Sequence, residues 1–424
     1  MKSFINRTGN PVDALICAVA FCIPLWPLGT IVMTMLWLAV SIITFNFTRF
    51  KQGFKDKPYL LIFIGFFLIH VVGLVWTQNI EHGFKELKDD LNLLIFPLLF
   101  GFHRPKAGSY RFIAKGFVAG TILGTLICFV QGFYFSIHTG DWGHMFYALF
   151  SALLHPTYFG MILIVSVMMV LVEFFEKRDT NIRYKYLLVF LVLLQMAAIS
   201  LLSSRIVYLV AIALFFYFIF IMMMKRKYDY MRNAYVLFMT VCSFLFIFAG
   251  ISMNNRFAQV TDAISTISTP KQEHMESSDS LVYNSSTIRL AQFRYSMEII
   301  KDHWMLGVGT GDSRDELTKV YQKHNDVYAL EHFLNPHSFY FHTWIMVGLA
   351  GLLILLSCIF VPYIWSYKNQ LYLYQGFLVL IFINGFTDII THATLGSFYA
   401  FINCLLYCAG IYILKSTNDN EATA

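Results

Sequence analysis

The stretch 337–361, HSFYFHTWIMVGLAGLLILLSCIFV, contains no Lys, Arg, Asp or Glu. A membrane-spanning helix needs about 20 consecutive apolar residues, so this stretch predicts a span. The polar segment 253–336 lies directly before it and interrupts an otherwise apolar chain. The junction Asn335-Pro336-His337 therefore places a histidine where a long loop meets the membrane.

The order of residues at this junction is typical of a helix start. Asn335 suits the N-cap and Pro336 the first helical position, which predicts His337 in the first turn. Unpaired N–H groups there attract anions and disfavour a charged imidazole. Such a position would suit a neutral histidine that acts beside a bound phosphate group. The alternative is an ordinary surface histidine at a helix start.

The composition indicates an integral membrane protein. The chain has 424 residues, of which 58% are hydrophobic and 13% charged, whereas a soluble domain carries about 25% charged residues. The 43 Phe and 24 Tyr suit a lipid-facing surface with aromatic belts. The net charge of +6 is explained by its distribution along the chain, and no nucleic-acid partner is expected.

The apolar runs predict an all-α, polytopic fold with one integrated membrane domain. Residues 1–252 would form nine transmembrane helices, 253–336 a long outer loop carrying amphipathic helices, and 337–424 three further transmembrane helices. The twelve predicted spans are approximately 11–27, 29–47, 58–76, 84–101, 112–136, 156–175, 185–202, 204–224, 233–252, 337–361, 370–387 and 391–414.

The basic residues predict the topology of these spans. With both termini in the cytoplasm, 20 of the 31 Lys and Arg residues fall in cytoplasmic segments, as the positive-inside rule expects. Long loops are translocated largely regardless of charge, so 253–336 can lie outside. Within that loop, 287–303 has apolar residues at helical spacing. It predicts an amphipathic helix lying on the membrane surface or over a cavity.

Three charged residues are candidates for binding a substrate at the outer face. Arg205 opens the eighth predicted span, where it either snorkels to the interface or binds a ligand. Arg289 opens the amphipathic helix, where a charge is usually just solvated. Asp388 lies in the last outer turn with His392. It could cap a helix, orient a histidine or hold a sugar hydroxyl.

The glycine run Leu306-Gly307-Val308-Gly309-Thr310-Gly311 allows two interpretations. It can wrap a phosphate with backbone N–H groups, or it can be a helix-terminating turn. It lacks the Lys-Ser/Thr pair of a nucleotide-binding loop.

The sequence predicts neither a metal nor another cofactor. His332, His337 and His342 are spaced by five, which fits no common zinc spacing. All seven cysteines fall inside predicted spans, so we expect neither CxxC metal binding nor redox chemistry.

Taken together, these residues resemble the O-antigen ligase and polymerase superfamily of bacterial envelope enzymes. The resemblance covers about 203–354, with further likeness only in the span pattern and in His155-Pro156. It rests on an ordered set of motifs combined with a long outer loop: Ser204-Arg205, Arg289, Gly307 to Gly311, Asn335-Pro336-His337-Ser338, and Gly348 with Gly351.

The resemblance implies a metal-independent, inverting transfer of glycan from undecaprenyl diphosphate to lipid A–core, at the periplasmic face of the bacterial inner membrane. By the family's pattern His337 would be the catalytic base. Arg205 and Arg289 would bind the diphosphate, and Asp388 would be a supporting polar group. The partners expected are the lipid-linked donor, lipid A–core or another glycan acceptor, and membrane lipid.

Three alternatives stay open from the sequence. A polymerase would join one lipid-linked repeat to another with the same motifs. A protein O-oligosaccharyltransferase would transfer glycan to Ser or Thr, but such enzymes tend to be longer at the C-terminus. A glycan transporter should carry charges near the centres of its spans, and the predicted span centres are nearly free of charge.

Overall fold

The computed structural model describes residues 11–103, 105, 107–176, 181–224, 285–332, 334–391 and 393–422. Within these ranges every regular element of secondary structure is a helix, which confirms the all-α prediction. The ninth predicted span, 233–252, lies outside the described residues, as do His392 and the loop before residue 285.

The helices are numbered here in chain order, leaving aside short helical turns at 74–76, 142–145 and 147–150. They are α1 (Pro11–Cys22), α2 (Pro27–Ile43), α3 (Phe47–Asp56), α4 (Leu60–Gly73), α5 (Ile80–Asp90), α6 (Asn92–Phe102), α7 (Ala107–Thr139), α8 (Pro156–Glu176), α9 (Ile182–Leu202), α10 (Arg205–Met224), α11 (Ser285–His303), α12 (Ser313–Lys323), α13 (Val327–Glu331), α14 (Phe339–Lys368), α15 (Tyr372–Asn384) and α16 (Ala393–Ala422).

Several of these helices can cross a membrane. Among the described residues, α7, α8, α9, α14 and α16 are long and apolar enough, and α3 with α4 would be a sixth span bent by 105°. Shorter apolar helices include α1, α2 and α15. The predicted fourth span, 84–101, is two consecutive helices, α5 and α6. The protein is a polytopic helical membrane protein, and the count of twelve spans stays a prediction.

Two apolar cores meet along α14. The larger core is rich in aromatic residues of the membrane helices, such as Phe63 and Phe96, and includes Leu355 of α14. The smaller core joins α11, α12 and α13 outside them, and it includes Ile345 of the same helix. Helix α14 therefore connects the membrane helices with residues 285–332, which are called the outer segment below.

Helix α14 is broken at Val347 and Gly348. Val347 has φ −127° and ψ 17°, and Gly348 has φ 66° and ψ −161°. The second pair of angles is available only to a residue without a side chain. The predicted continuous helix through Gly348 is therefore wrong at this point, and the break leaves backbone carbonyls without their helical partners.

The outer segment satisfies these backbone groups. Val308 N donates to the carbonyl of Ile345 at 2.8 Å, and Gly309 N donates to the carbonyl of Met346 at 3.0 Å. In return, Leu349 N donates to the carbonyl of Trp304 at 3.0 Å. Because buried backbone groups must be paired, the glycine run completes the hydrogen bonding of a membrane helix.

Further contacts fasten the outer segment to the end of α4 and the start of α5. The Thr310 hydroxyl donates to the carbonyl of His70 at 2.6 Å. The carboxylate of Asp312 accepts hydrogen bonds from Gln78 N at 2.8 Å and Asn79 N at 2.7 Å. Asp312 is buried, so these bonds are partly shielded from water.

Two acidic side chains of α5 are buried beside histidines. Glu86 lies 3.2 Å from Nε2 of His342 on α14, and Asp90 lies 3.7 Å from Nδ1 of His70 on α4. The helices around α5 enclose both carboxylates, and each has a histidine partner there.

We predict that Gly348→Ala destabilises the protein. A Cβ at this position would lie 2.2 Å from the carbonyl oxygen of Met305, and φ would stay in the left-handed region. The left-handed backbone conformation alone costs an alanine about 1–2 kcal/mol, so the apparent Tm of the variant in detergent should fall. Gly65→Ala is the matched control, because its Cβ would meet no atom within 4 Å and alanine favours a helix. An unchanged Tm for Gly348→Ala would contradict the role of the break.

Candidate active site at the outer end of α14

His337 lies in a turn just before α14. The sequence predicts it in the first turn of the helix, and this prediction is wrong. The N-cap of the helix is Ser338, and His337 has φ 44°. Asn335 accepts a hydrogen bond from His337 N at 3.0 Å, which is an Asx turn and not a helix cap. A histidine in this left-handed conformation is uncommon and must be held by its surroundings.

The turn that carries His337 is fastened to the turn that carries Asp388. The carbonyl of Gly385 accepts hydrogen bonds from Phe339 N at 2.8 Å and from the Ser338 hydroxyl at 3.2 Å. Asp388 follows three residues after Gly385. It does not cap a helix, because α16 begins five residues later at Ala393. Of the three predicted roles for Asp388, the cap is therefore wrong.

Three side chains from separate parts of the chain lie near His337. The carboxylate of Asp388, the guanidinium of Arg289 and the ring of His155 all lie close enough to His337 to shift its pKa. Arg289 comes from the second turn of α11, and it is exposed. The structure therefore brings three of the four predicted site residues together, namely His337, Arg289 and Asp388.

The environment keeps His337 neutral at pH 7. Burial is the largest effect and lowers the pKa of His337 below its ordinary value of 6.5, while the carboxylate of Asp388 raises it. The positive charge of Arg289 lowers the pKa further. The neutral form agrees with the sequence prediction. Its cause is burial and a neighbouring cation, however, and not a position in the first turn of a helix.

His155 and Tyr158 belong to the same site, although the sequence did not single them out as functional. The Tyr158 hydroxyl donates to Oδ1 of Asp388 at 3.3 Å, and burial lowers the pKa of His155. His155 stands directly before Pro156, at the start of α8. A signal was available, because histidine beside proline at an outer helix start occurs both here and at His337.

Arg205 stands at the first residue of α10, as predicted. The hydroxyl of the preceding Ser204 is 3.3 Å from the hydroxyl of Thr157, one residue before Tyr158 on α8. This contact places the start of α10 beside the start of α8, whose tyrosine binds Asp388. Arg205 is half-buried and has interactions with neighbouring groups.

Five consecutive backbone N–H groups of the glycine run, from Gly307 to Gly311, are bonded within the protein and are not free for a phosphate. The N–H groups of Val308 and Gly309 are bonded to α14, and Gly307 N donates to the carbonyl of His303 at 2.9 Å. Thr310 N donates to the carbonyl of Gly73, and Gly311 N to the hydroxyl of Thr77. The interpretation of this run as a turn is the one the structure supports.

The arrangement combines a neutral imidazole, a carboxylate and permanent positive charge at one end of the helix bundle. A neutral imidazole can accept a proton, a nearby carboxylate can stabilise the imidazolium that results, and guanidinium groups bind phosphate oxygens. Among the described residues, no group of three or more His, Cys, Asp or Glu side chains could hold a metal ion.

Comparison with known proteins agrees with the resemblance found in the sequence. The family model described as O-antigen ligase matches residues 188–356, a segment that includes Arg205, Arg289 and His337. No match is found among curated proteins. The match confirms the resemblance to the O-antigen ligase superfamily over this segment.

Proposed function

We propose that this protein is an O-antigen ligase-like glycosyltransferase. It moves glycan from undecaprenyl diphosphate to lipid A–core on the periplasmic face of the inner membrane, with inversion at the anomeric carbon and without a metal. The observation that carries the proposal is the half-buried His337, whose pKa is lowered by desolvation and which stands within electrostatic range of Asp388 and Arg289. These are the groups that such a transfer requires. Arg289 and His337 lie within the matched segment 188–356, and Asp388 lies beyond it.

In the proposed reaction, His337 is the base. A ring nitrogen takes the proton of the acceptor hydroxyl while its oxygen attacks the anomeric carbon of the donor sugar. The bond from that carbon to the diphosphate oxygen breaks, and the diphosphate leaves with the electron pair. Asp388 stabilises the imidazolium that forms, because its carboxylate already raises the pKa of His337.

Arg205 and Arg289 serve the leaving group in this mechanism. Diphosphate is a good leaving group, so the donor side needs neutralisation of charge rather than a strong acid. Arginine keeps its charge at all relevant pH values and binds phosphate oxygens with two N–H groups at once. Arg289 is exposed on α11 and stands within electrostatic range of the base.

A polymerase that joins lipid-linked repeats is the second candidate. It would use the same base and the same arginines, because only the acceptor differs. Transfer to Ser or Thr of proteins ranks below both. A glycan transporter ranks last, because the charged groups of the site collect at the outer helix ends. Glu86 and Asp90 are buried beside His342 and His70. A lack of charge inside the helix bundle therefore does not argue against a transporter.

We predict that His337→Ala abolishes transfer while the protein still inserts in the membrane. General base catalysis contributes about 10²–10⁴-fold to a rate, so the loss should be complete on a gel of lipopolysaccharide. His332→Ala is a suitable control, because His332 is exposed and its ring contacts Tyr328 within its own helical turn. Normal transfer by His337→Ala would remove His337 from the mechanism. Glycan transport in vesicles that persists in this variant would favour a transporter.

We predict that charge changes around His337 move the pH profile in opposite directions. Activity is lost as pH falls through the pKa of the base, which lies below 6.5. Asp388→Asn removes a carboxylate that raises this pKa, so the acid limb of kcat/KM should move to lower pH. Arg289→Gln removes a cation that lowers it, so the limb should move to higher pH.

Arg294→Gln is the matched control for this pair, because Arg294 is an exposed arginine of the same helix and does not influence His337. Its acid limb should coincide with that of the wild type. Shifts of the two test variants in the same direction would contradict the assignment of His337 as the titrating base.

We predict that Arg205→Lys transfers glycan poorly. A lysine ammonium keeps the charge but cannot replace two parallel N–H bonds to a phosphate. A hydrogen bond to a charged group is worth about 1.5–3 kcal/mol, so kcat/KM should fall about 10–100-fold. Wild-type kinetics would mean that Arg205 only snorkels to the interface.

Deletion of the protein separates the ligase from the polymerase. Gels of lipopolysaccharide and of the undecaprenyl-linked pool should show core without any repeat, and long chains held on the carrier. Core capped by a single repeat, with no long chains in either pool, would establish a polymerase. Unchanged pools would exclude both, and protein glycosylation would then be tested.

A further inference from the structure

An apolar turn projects from the outer segment directly after α11. Its residues are Trp304, Met305 and Leu306, whose side chains are 48%, 59% and 63% exposed. Neighbouring apolar side chains of this outer segment, such as Ile299 and Leu317, are buried in the smaller core. Three consecutive exposed apolar side chains are costly in water and usually mark an interaction surface.

The position of the turn is fixed against the break in α14. The carbonyl of Trp304 accepts hydrogen bonds from Leu349 N at 3.0 Å and from the indole Nε1 of Trp344 at 2.9 Å. A Cβ at Gly348 would touch the carbonyl of Met305. The turn is therefore not a free loop tip, because the backbone of the broken helix holds it at one height.

The turn lies beside the position on α14 where the lipid-facing stripe of that helix begins. Below the break, exposed apolar side chains recur at helical spacing at Leu353, Phe360, Ile364 and Tyr367. Above the break, most positions from Phe339 to Val347 are buried. About 20 helical residues cross the hydrocarbon core, and 20 residues counted back from Lys368 end at Leu349. The break therefore falls at the outer boundary of the hydrocarbon.

We infer that Trp304, Met305 and Leu306 form an anchor that inserts into the outer leaflet of the bilayer, at the boundary between headgroups and acyl chains. The occupant of this surface is bilayer lipid. The turn is continuous with the lipid-facing stripe of α14, its side chains are apolar, and tryptophan is favoured at that depth. This inference does not depend on the proposed function.

The anchor has a consequence for the site, because α11 connects the two. Phe293 of α11 contacts Phe341 of α14 with ring centroids 4.9 Å apart, and Trp304 contacts Trp344 further down. Helix α11 thus runs parallel to the outer part of α14, from Arg289 to the anchor. Insertion of the turn would hold Arg289 at a fixed height above the lipid.

Collision rates of spin labels test the anchor in the full-length protein. Met305→Cys and Leu306→Cys would be labelled with a nitroxide in vesicles of phosphatidylethanolamine and phosphatidylglycerol, with labelled wild type as the background. Collision with oxygen, which concentrates in lipid, is compared with collision with a water-soluble nickel chelate. The ratio of oxygen to nickel collisions should be several-fold higher at both positions than at an exposed control, Lys319→Cys.

Leu353→Cys supplies the reference for a lipid-facing position on α14. Ratios at Met305 and Leu306 that approach this reference support insertion. Nickel collisions as frequent as those at Lys319 would place the turn in water and overturn the inference. Low collision rates with both reagents would mean that protein covers the turn, for instance a second copy of the chain, and would also overturn it.

Discussion

The hydrogen bonds across the break in α14 are the constraint on which the outer half of the molecule depends. No water is available in a bilayer to satisfy an unpaired backbone group, so a membrane helix can be interrupted only where protein supplies partners. Here the partners are the N–H groups of Val308 and Gly309 and the carbonyl of Trp304. Residues 304–309 therefore supply the hydrogen-bond partners that the break in α14 leaves missing, although they lie about 40 positions earlier in the chain.

This constraint explains why the outer segment is positioned well enough to contribute to a site. Helix α11 ends in the turn that the break holds, so Arg289 is carried by a helix fixed at its far end. His337 is fixed separately, because the carbonyl of Gly385 binds Ser338 and Phe339. The site assembles where a helix from the loop meets two turns from the membrane bundle.

The buried carboxylates of α5 form a second polar layer below this site. Glu86 lies beside His342 of α14, and Asp90 lies beside His70 of α4. A charge is costly to bury unless it is paired, so these pairs restrict how α4, α5 and α14 can pack. Since His342 follows His337 by five residues, the pair with Glu86 also fixes the first part of the helix behind His337.

The sequence by itself determined the polytopic helical class of the protein and three residues that the structure brings near one another. Apolar runs and basic residues predict a polytopic helical protein because the bilayer imposes both patterns locally. His337, Arg289 and Asp388 could be selected because polar groups at outer helix ends stand out against an apolar chain.

Only the tertiary structure decided which of these groups meet and in what conformation. His155 and Tyr158 join the site through contacts with residues more than 180 positions away in the chain, which no local pattern records. The left-handed turn at His337 and the break at Gly348 arise because distant backbone groups bind there. Local periodicity predicts where a helix can form, but hydrogen bonds between distant segments determine where it starts and where it breaks.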